Sequence, residues 1–71
     1  MYNWCIDVML KTGTTLKCEY DGPESHSVDV AKKLFHGKQP QDWVGLLSHK
    51  GTHNTIIVVG EIAAVDLYER K

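Results

Sequence analysis

The sequence predicts one small α+β domain over residues 1–71, ordered β-β-α-β-β-β. Its single helix packs on a strongly curved antiparallel sheet or a small, partly open barrel. Three observations lead there. The first ten residues alternate apolar and polar side chains with a strand's period of two. One amphipathic stretch with clear stop signals lies mid-chain. The remaining apolar residues fall into short runs separated by glycine-containing turns. No linker, internal repeat or second domain interrupts this pattern. A domain of 71 residues buries only about 60% of the surface its unfolded chain exposes. Chains of this size often gain stability from association or a bound group.

The first strand places Tyr2, Trp4, Ile6, Val8 and Leu10 on one face, and Asn3, Cys5, Asp7, Met9 and Lys11 on the other. In the second, Leu16, Cys18 and Tyr20 share a face, with Thr15, Lys17 and Glu19 opposite. The connection fixes the register. A three-residue loop, Lys11-Thr12-Gly13, puts Gly13 where a type I turn with a G1 bulge requires a left-handed residue. Leu10 then opposes Thr14, Val8 opposes Leu16, Ile6 opposes Cys18 and Trp4 opposes Tyr20. Asp7 meets Lys17 on the other face. A two-residue loop would set Val8 against Lys17 and mix the faces.

Asp21-Gly22-Pro23-Glu24 is a turn. The helix follows, with Ser27 or Ser25 as N-cap and Asp29 in the first turn. Val30, Ala31, Leu34 and Phe35 form its apolar stripe. Lys32, Lys33 and His36 suit its C-terminal end; Gly37 is a natural C′ residue and Pro40 prevents resumption. Trp43–Leu47 reads as a third strand, with Gly45 at a bulge or a close contact. Residues 48–53 form a hairpin tip. Asn54–Val59 is a fourth strand, apolar on both faces, and Gly60-Glu61 turns the chain. Ile62–Tyr68 is the fifth strand, with Val65 and Leu67 inward and Asp66 and Tyr68 outward. One helix cannot cover both faces of five strands, and a strand apolar on both sides needs two covers. Barrel closure or a homo-oligomer would supply the second.

Eight Lys and Arg against nine Asp and Glu give a net charge of −1. Nucleic-acid binding normally needs a basic excess to neutralise phosphates, so this balance argues against it. The N-terminus has neither the basic nor the apolar region of a signal peptide. No apolar run approaches the ~18 residues of a membrane span. A cytoplasmic protein is expected, with no membrane partner. Cys5 and Cys18 fall on opposite sheet faces, and a reducing compartment keeps thiols free, so no disulfide is expected. Recognisable nucleophile elbows, HExxH spacing and Gly-rich phosphate loops are all missing. The expectation is a non-enzyme with no catalytic residue, no metal and no cofactor.

Three groups are candidates for binding. His49-x3-His53, with Lys50 and Thr52, places two imidazoles, a cation and a hydroxyl on one loop. Cys5 and Cys18 lie in the other hairpin, in no ligand-like spacing, and exposed loop histidines are the plainer reading. Ser25-His26-Ser27 opens the helix, where free N–H groups favour phosphate or carboxylate; ordinary N-capping is the plainer reading there. Among the aromatic residues, Trp4 and Tyr20 read as core partners. Trp43 follows a polar loop and is the aromatic most suited to stacking on a base, while Tyr68 points outward and suits an interface.

Leu10-Lys11-Thr12-Gly13, then Ser27-Val28-Asp29-Val30-Ala31-Lys32-Lys33-Leu34, then Gly60 to Tyr68 together resemble small proteins of phages and prophages of Gram-positive bacteria. The likeness spans most of the chain and is one of fold and texture, with no functional motif. It implies a counter-defence setting, in the host cytoplasm. Some such proteins sequester cyclic-nucleotide or ADP-ribose-derived signals in oligomeric pockets, and others block a defence protein by direct contact. Gly60 to Tyr68 also resembles the last strand of Sm-like barrels, although here the helix lies inside the chain.

These readings converge on a small, non-enzymatic, oligomeric protein that captures a phosphorylated, nucleotide-like ligand. Ser25, His26, Ser27, Trp43, His49, Lys50, Thr52 and His53 are the candidate binding residues. A protein–protein inhibitor of a host defence protein is the first alternative, and an Sm- or SH3-like nucleic-acid module the second.

Overall fold

The computed structural model describes residues 2–48 and 53–70 of the chain. The elements run β1 (Tyr2–Leu10), β2 (Thr15–Gly22), α1 (Ser27–Phe35), β3 (Trp43–Ser48), β4 (Asn54–Val58), a 3-10 turn (Val59–Glu61) and β5 (Ile62–Glu69). All neighbouring strands pair antiparallel, in the order β4-β3-β2-β1-β5. The sheet is open, with β4 and β5 as its edges, so closure into a full barrel does not occur. Those two edges are consecutive in the chain and are joined only by the 3-10 turn.

The β1–β2 hairpin forms in the expected register. Trp4 pairs with Tyr20, Ile6 with Cys18, Val8 with Leu16, and Asp7 with Lys17. Leu10 N–H donates to the Thr14 carbonyl at 2.8 Å, and Gly13 takes the left-handed φ of 95° that the turn requires. Cys5 and Cys18 consequently lie on opposite faces, and both are free thiols.

One face carries the core. Trp4, Ile6, Val8, Cys18, Val30, Val44, Leu46 and Ile57 are buried there, and Leu34, Phe35, Val65 and Leu67 pack around them. Trp4 Nε1–H donates to the Glu24 carbonyl at 2.9 Å. The Tyr20 hydroxyl donates to Glu24 Oε1 at 2.8 Å. Two core aromatics thus satisfy their polar ends on the residue that leads into α1, as buried Trp and Tyr must. A Cβ on the buried Gly22 would stand 2.7 Å from the Tyr20 hydroxyl oxygen and 2.6 Å from Glu24 Oε1, so this clasp requires glycine.

The helix starts differently from expectation. His26, in extended backbone, is the N-cap, and no side chain caps the helix. Neither Ser25 nor Ser27 does so. The clasp on Glu24 fixes where the chain enters α1, which leaves Ser25 outside the cap and Ser27 already within the first turn. The end follows expectation: Gly37 adopts φ 76° immediately beyond His36, the C-cap. Gly45 marks a close contact and not a bulge. The β3–β4 register runs unbroken, and Ile56 Cδ1 lies 3.2 Å from where a Gly45 Cβ would be. No described helix is long and apolar enough to cross a membrane.

Candidate functional site

The outer face of the sheet is divided by chemistry. Over β1, β2 and β5 it is polar. Lys17 Nζ lies 3.6 Å from Asp7, Arg70 lies 3.0 Å from Glu19, and the Tyr68 hydroxyl donates to Asp7 at 3.4 Å. Over β3 and β4 it is apolar: Trp43, Leu47, Ile56 and Val58 are all exposed. Trp43 pairs with Val58, and Gly45 with Ile56.

β3 joins β2 only through Cys18–Ser48 and Glu19–Leu47. Towards Trp43 the two strands part, and a cavity of about 500 Å³ opens between β3 and α1. Leu34 and Lys33 line it from the helix, Lys38 and Asp42 from the following loop, and Trp43, Val44 and Gly45 from the strand. Its volume is within the usual range for small-molecule sites.

Its charge follows from the helix stop. The last turn of a helix carries partial negative charge, which favours cations. Gly37, in its left-handed conformation, turns the chain so that Lys38 returns to the same groove as Lys33. Neither lysine makes an ion pair among the described residues. Asp42 is engaged locally, its Oδ2 accepting the Gln39 N–H at 2.8 Å. The groove therefore offers two ammonium groups against the one Asp42 carboxylate, an apolar floor and, at its mouth, an indole that is 59% exposed.

Of the residues singled out in the sequence, the groove takes in only Trp43. Ser25 and His26 are exposed, and Ser27 half-buried, at the opposite end of α1. His53 is exposed at the far end of the β3–β4 hairpin, where its N–H donates to Ser48 Oγ at 3.3 Å. His49, Lys50 and Thr52 lie outside the described residues. Lys33 and Lys38 were missed. In sequence Lys33 reads as a partner of the helix dipole, and the glycine between the two lysines was the signal that joins them.

Among the described residues, no group of three or more His, Cys, Asp or Glu side chains converges as a metal site would. Burial, assisted by the nearby Asp7 charge, pushes the Cys18 thiol pKa up. Burial also raises that of Tyr20, with the Glu24 hydrogen bond and charge adding to it. Cys18 is therefore held as a thiol, a poor nucleophile. A group whose neutral form is favoured by folding contributes stability below its ordinary pKa and loses it as pH rises through the raised folded value. Unfolding free energy is expected to decline above about pH 9, the ordinary thiol value. In Cys18→Ala that decline should be shallower, as read by urea titrations across alkaline pH. An identical alkaline limb in the variant would contradict this role.

Comparison of the chain with protein-family models, with curated proteins and with solved structures returns no match.

Proposed function

We propose that this chain is a non-enzymatic binding module. It captures a phosphorylated, nucleotide-like ligand in the groove between α1 and β3, and releases it chemically unchanged. The observation that carries this reading is the placement of Lys33, Lys38 and exposed Trp43 around one cavity of about 500 Å³. Ammonium groups bind phosphate as point charges. An exposed indole stacks on a base, worth about 1–3 kcal/mol. A strongly curved sheet belongs to the same proposal. The edges β4 and β5 are linked by Val59–Glu61 alone. Four chain steps reach at most about 14 Å, against about 19 Å for four strand spacings of a flat sheet. In a counter-defence setting, the one implied by the phage-type resemblance, such a module would lower the free concentration of a host signalling nucleotide.

The chain holds its own probe. Trp4 is buried and Trp43 is exposed, so a quencher that enters the groove acts on Trp43. Titration with adenylate, ATP and a cyclic dinucleotide should quench and shift the exposed tryptophan's emission, with the nucleotide recovered intact. Absence of any response to all three would remove the reading, and a chemically altered nucleotide would make the protein an enzyme. The apolar outer face of β3 and β4 favours a second reading, inhibition of a defence protein by direct contact, which needs no groove.

A further inference from the structure

β4 is an edge strand whose open side is complementary to itself. Backbone groups alternate in direction along an antiparallel ladder. Ser48 N–H donates to the His53 carbonyl at 2.8 Å, and Val59 N–H to the Asp42 carbonyl at 2.8 Å. Residues 53, 55, 57 and 59 therefore turn their N–H and C=O groups toward β3. Asn54, Ile56 and Val58 turn theirs toward the open edge. Natural edges are blunted by charges, prolines or bulges. Asn54-Thr55-Ile56-Ile57-Val58 has none of these, and its register with β3 is unbroken. The other edge, β5, carries exposed Asp66 and Glu69.

We propose that β4 pairs antiparallel with β4 of a second copy of this chain, about a two-fold axis at Ile56. In that register Ile56 opposes the partner's Ile56, and Asn54 opposes the partner's Val58. Every outward N–H then meets an outward carbonyl. The side chains agree with the backbone. Ile56 and Val58 are 59% and 46% exposed on the outer face, beside Trp43 at 59% and Leu47 at 42%. Ile56 leans over Gly45 of β3, its Cδ1 3.2 Å from where a Gly45 Cβ would be, so the apolar strip runs low from β3 to the edge. These four side chains expose on the order of 450 Å² of surface per copy, a patch of the size that is often functional. Edge pairing extends the sheet, with Ile56 and Val58 at the seam and Trp43 and Leu47, one strand back on β3, still open on the outer face. With no charge on the strand to select a different partner, the self-complementary contact is favoured, and two-fold closure ends it at a dimer. The charged β5 edge does not extend the sheet. This proposal stands apart from the ligand reading and is tested separately.

The test is light scattering and native mass spectrometry of the whole chain, with Ile56→Lys and Ile56→Glu measured singly and mixed. Ile56 is exposed, so both variants should fold, which circular dichroism and the buried Trp4 emission will verify. Val28→Lys, at the 61% exposed Val28 on α1, controls for loss of apolar surface elsewhere. The wild type and Val28→Lys should be dimers. Each Ile56 variant should weaken dimerisation by about 100-fold or more, because like charges would face each other across the axis. An equimolar mixture of the two Ile56 variants should recover a heterodimer. A monomeric wild type, a dimer unmoved by Ile56→Lys, or a mixture that fails to pair would each overturn the proposal.

Discussion

Trp4→Ala is expected to remove most of the stability of this domain, whereas Trp43→Ala leaves it nearly unchanged. The residue type is the same and the environments are opposite. Trp4 is 5% exposed in the core cluster, and its Nε1–H satisfies the Glu24 carbonyl. Truncating a buried tryptophan costs about 3–5 kcal/mol through lost burial and a residual cavity. The orphaned carbonyl adds to that. A chain of this length has about 4–10 kcal/mol in total, so the variant should be largely unfolded at modest urea concentrations. Trp43 is 59% exposed, and substitutions at such surface positions usually fall within about 0.5 kcal/mol. Urea unfolding followed by far-UV circular dichroism compares the two without relying on either fluorophore. Equal midpoints for both variants would contradict the assignment of Trp4 to the core. Trp43→Ala should instead lose nucleotide affinity, by roughly tenfold if one stacking contact is removed.

Reversing the groove's charge has the second large expected effect. Lys33→Glu combined with Lys38→Glu should lower nucleotide affinity by about 100-fold or more. A unit charge pair at 4 Å is worth about 1 kcal/mol in bulk water and about 4 kcal/mol near a protein surface, and here two attractions become repulsions. The wild-type affinity should also fall as salt rises. Lys32→Glu is the control. It changes net charge as much as Lys33→Glu alone does, on an exposed lysine of the same helix that does not line the groove. Calorimetric titration with ATP separates the outcomes. If Lys32→Glu is as damaging as Lys33→Glu, binding is diffuse and the groove is not the site.

Where local chemistry dictates structure, the sequence was readable. The β1–β2 register followed from strict alternation plus one glycine that had to be left-handed, because a slip of one residue would have turned Ile6 and Val8 to solvent. The end of α1 followed from Gly37 and Pro40. The outward placement of Trp43 and Tyr68 followed from their strand positions. Sheet order was not readable in this way. That β5 docks on β1 and leaves β4 bare is decided by pairings between distant segments, which leave no local mark. Capping failed as a guide because two serines flank a helix whose entry is set by Trp4 and Tyr20 holding Glu24. The groove was hidden for a related reason. Lys33 and Lys38 belong to different local contexts, a helix face and a loop, and only the turn at Gly37 brings them to one cavity.

The seating of β1 between β2 and β5 also governs how the chain reaches this structure. The β1–β2 hairpin closes over a short loop, fast and at small entropic cost. The β1–β5 ladder joins residues as distant as Trp4 and Glu69, 65 positions apart. Such non-local pairing sets the slow end of folding rates, in milliseconds to seconds. Until it forms, the free side of β1 is a second open edge next to Ile6 and Val8, the most deeply buried side chains of the finished strand. The interval in which this domain is most open to misassociation is therefore the wait for β5.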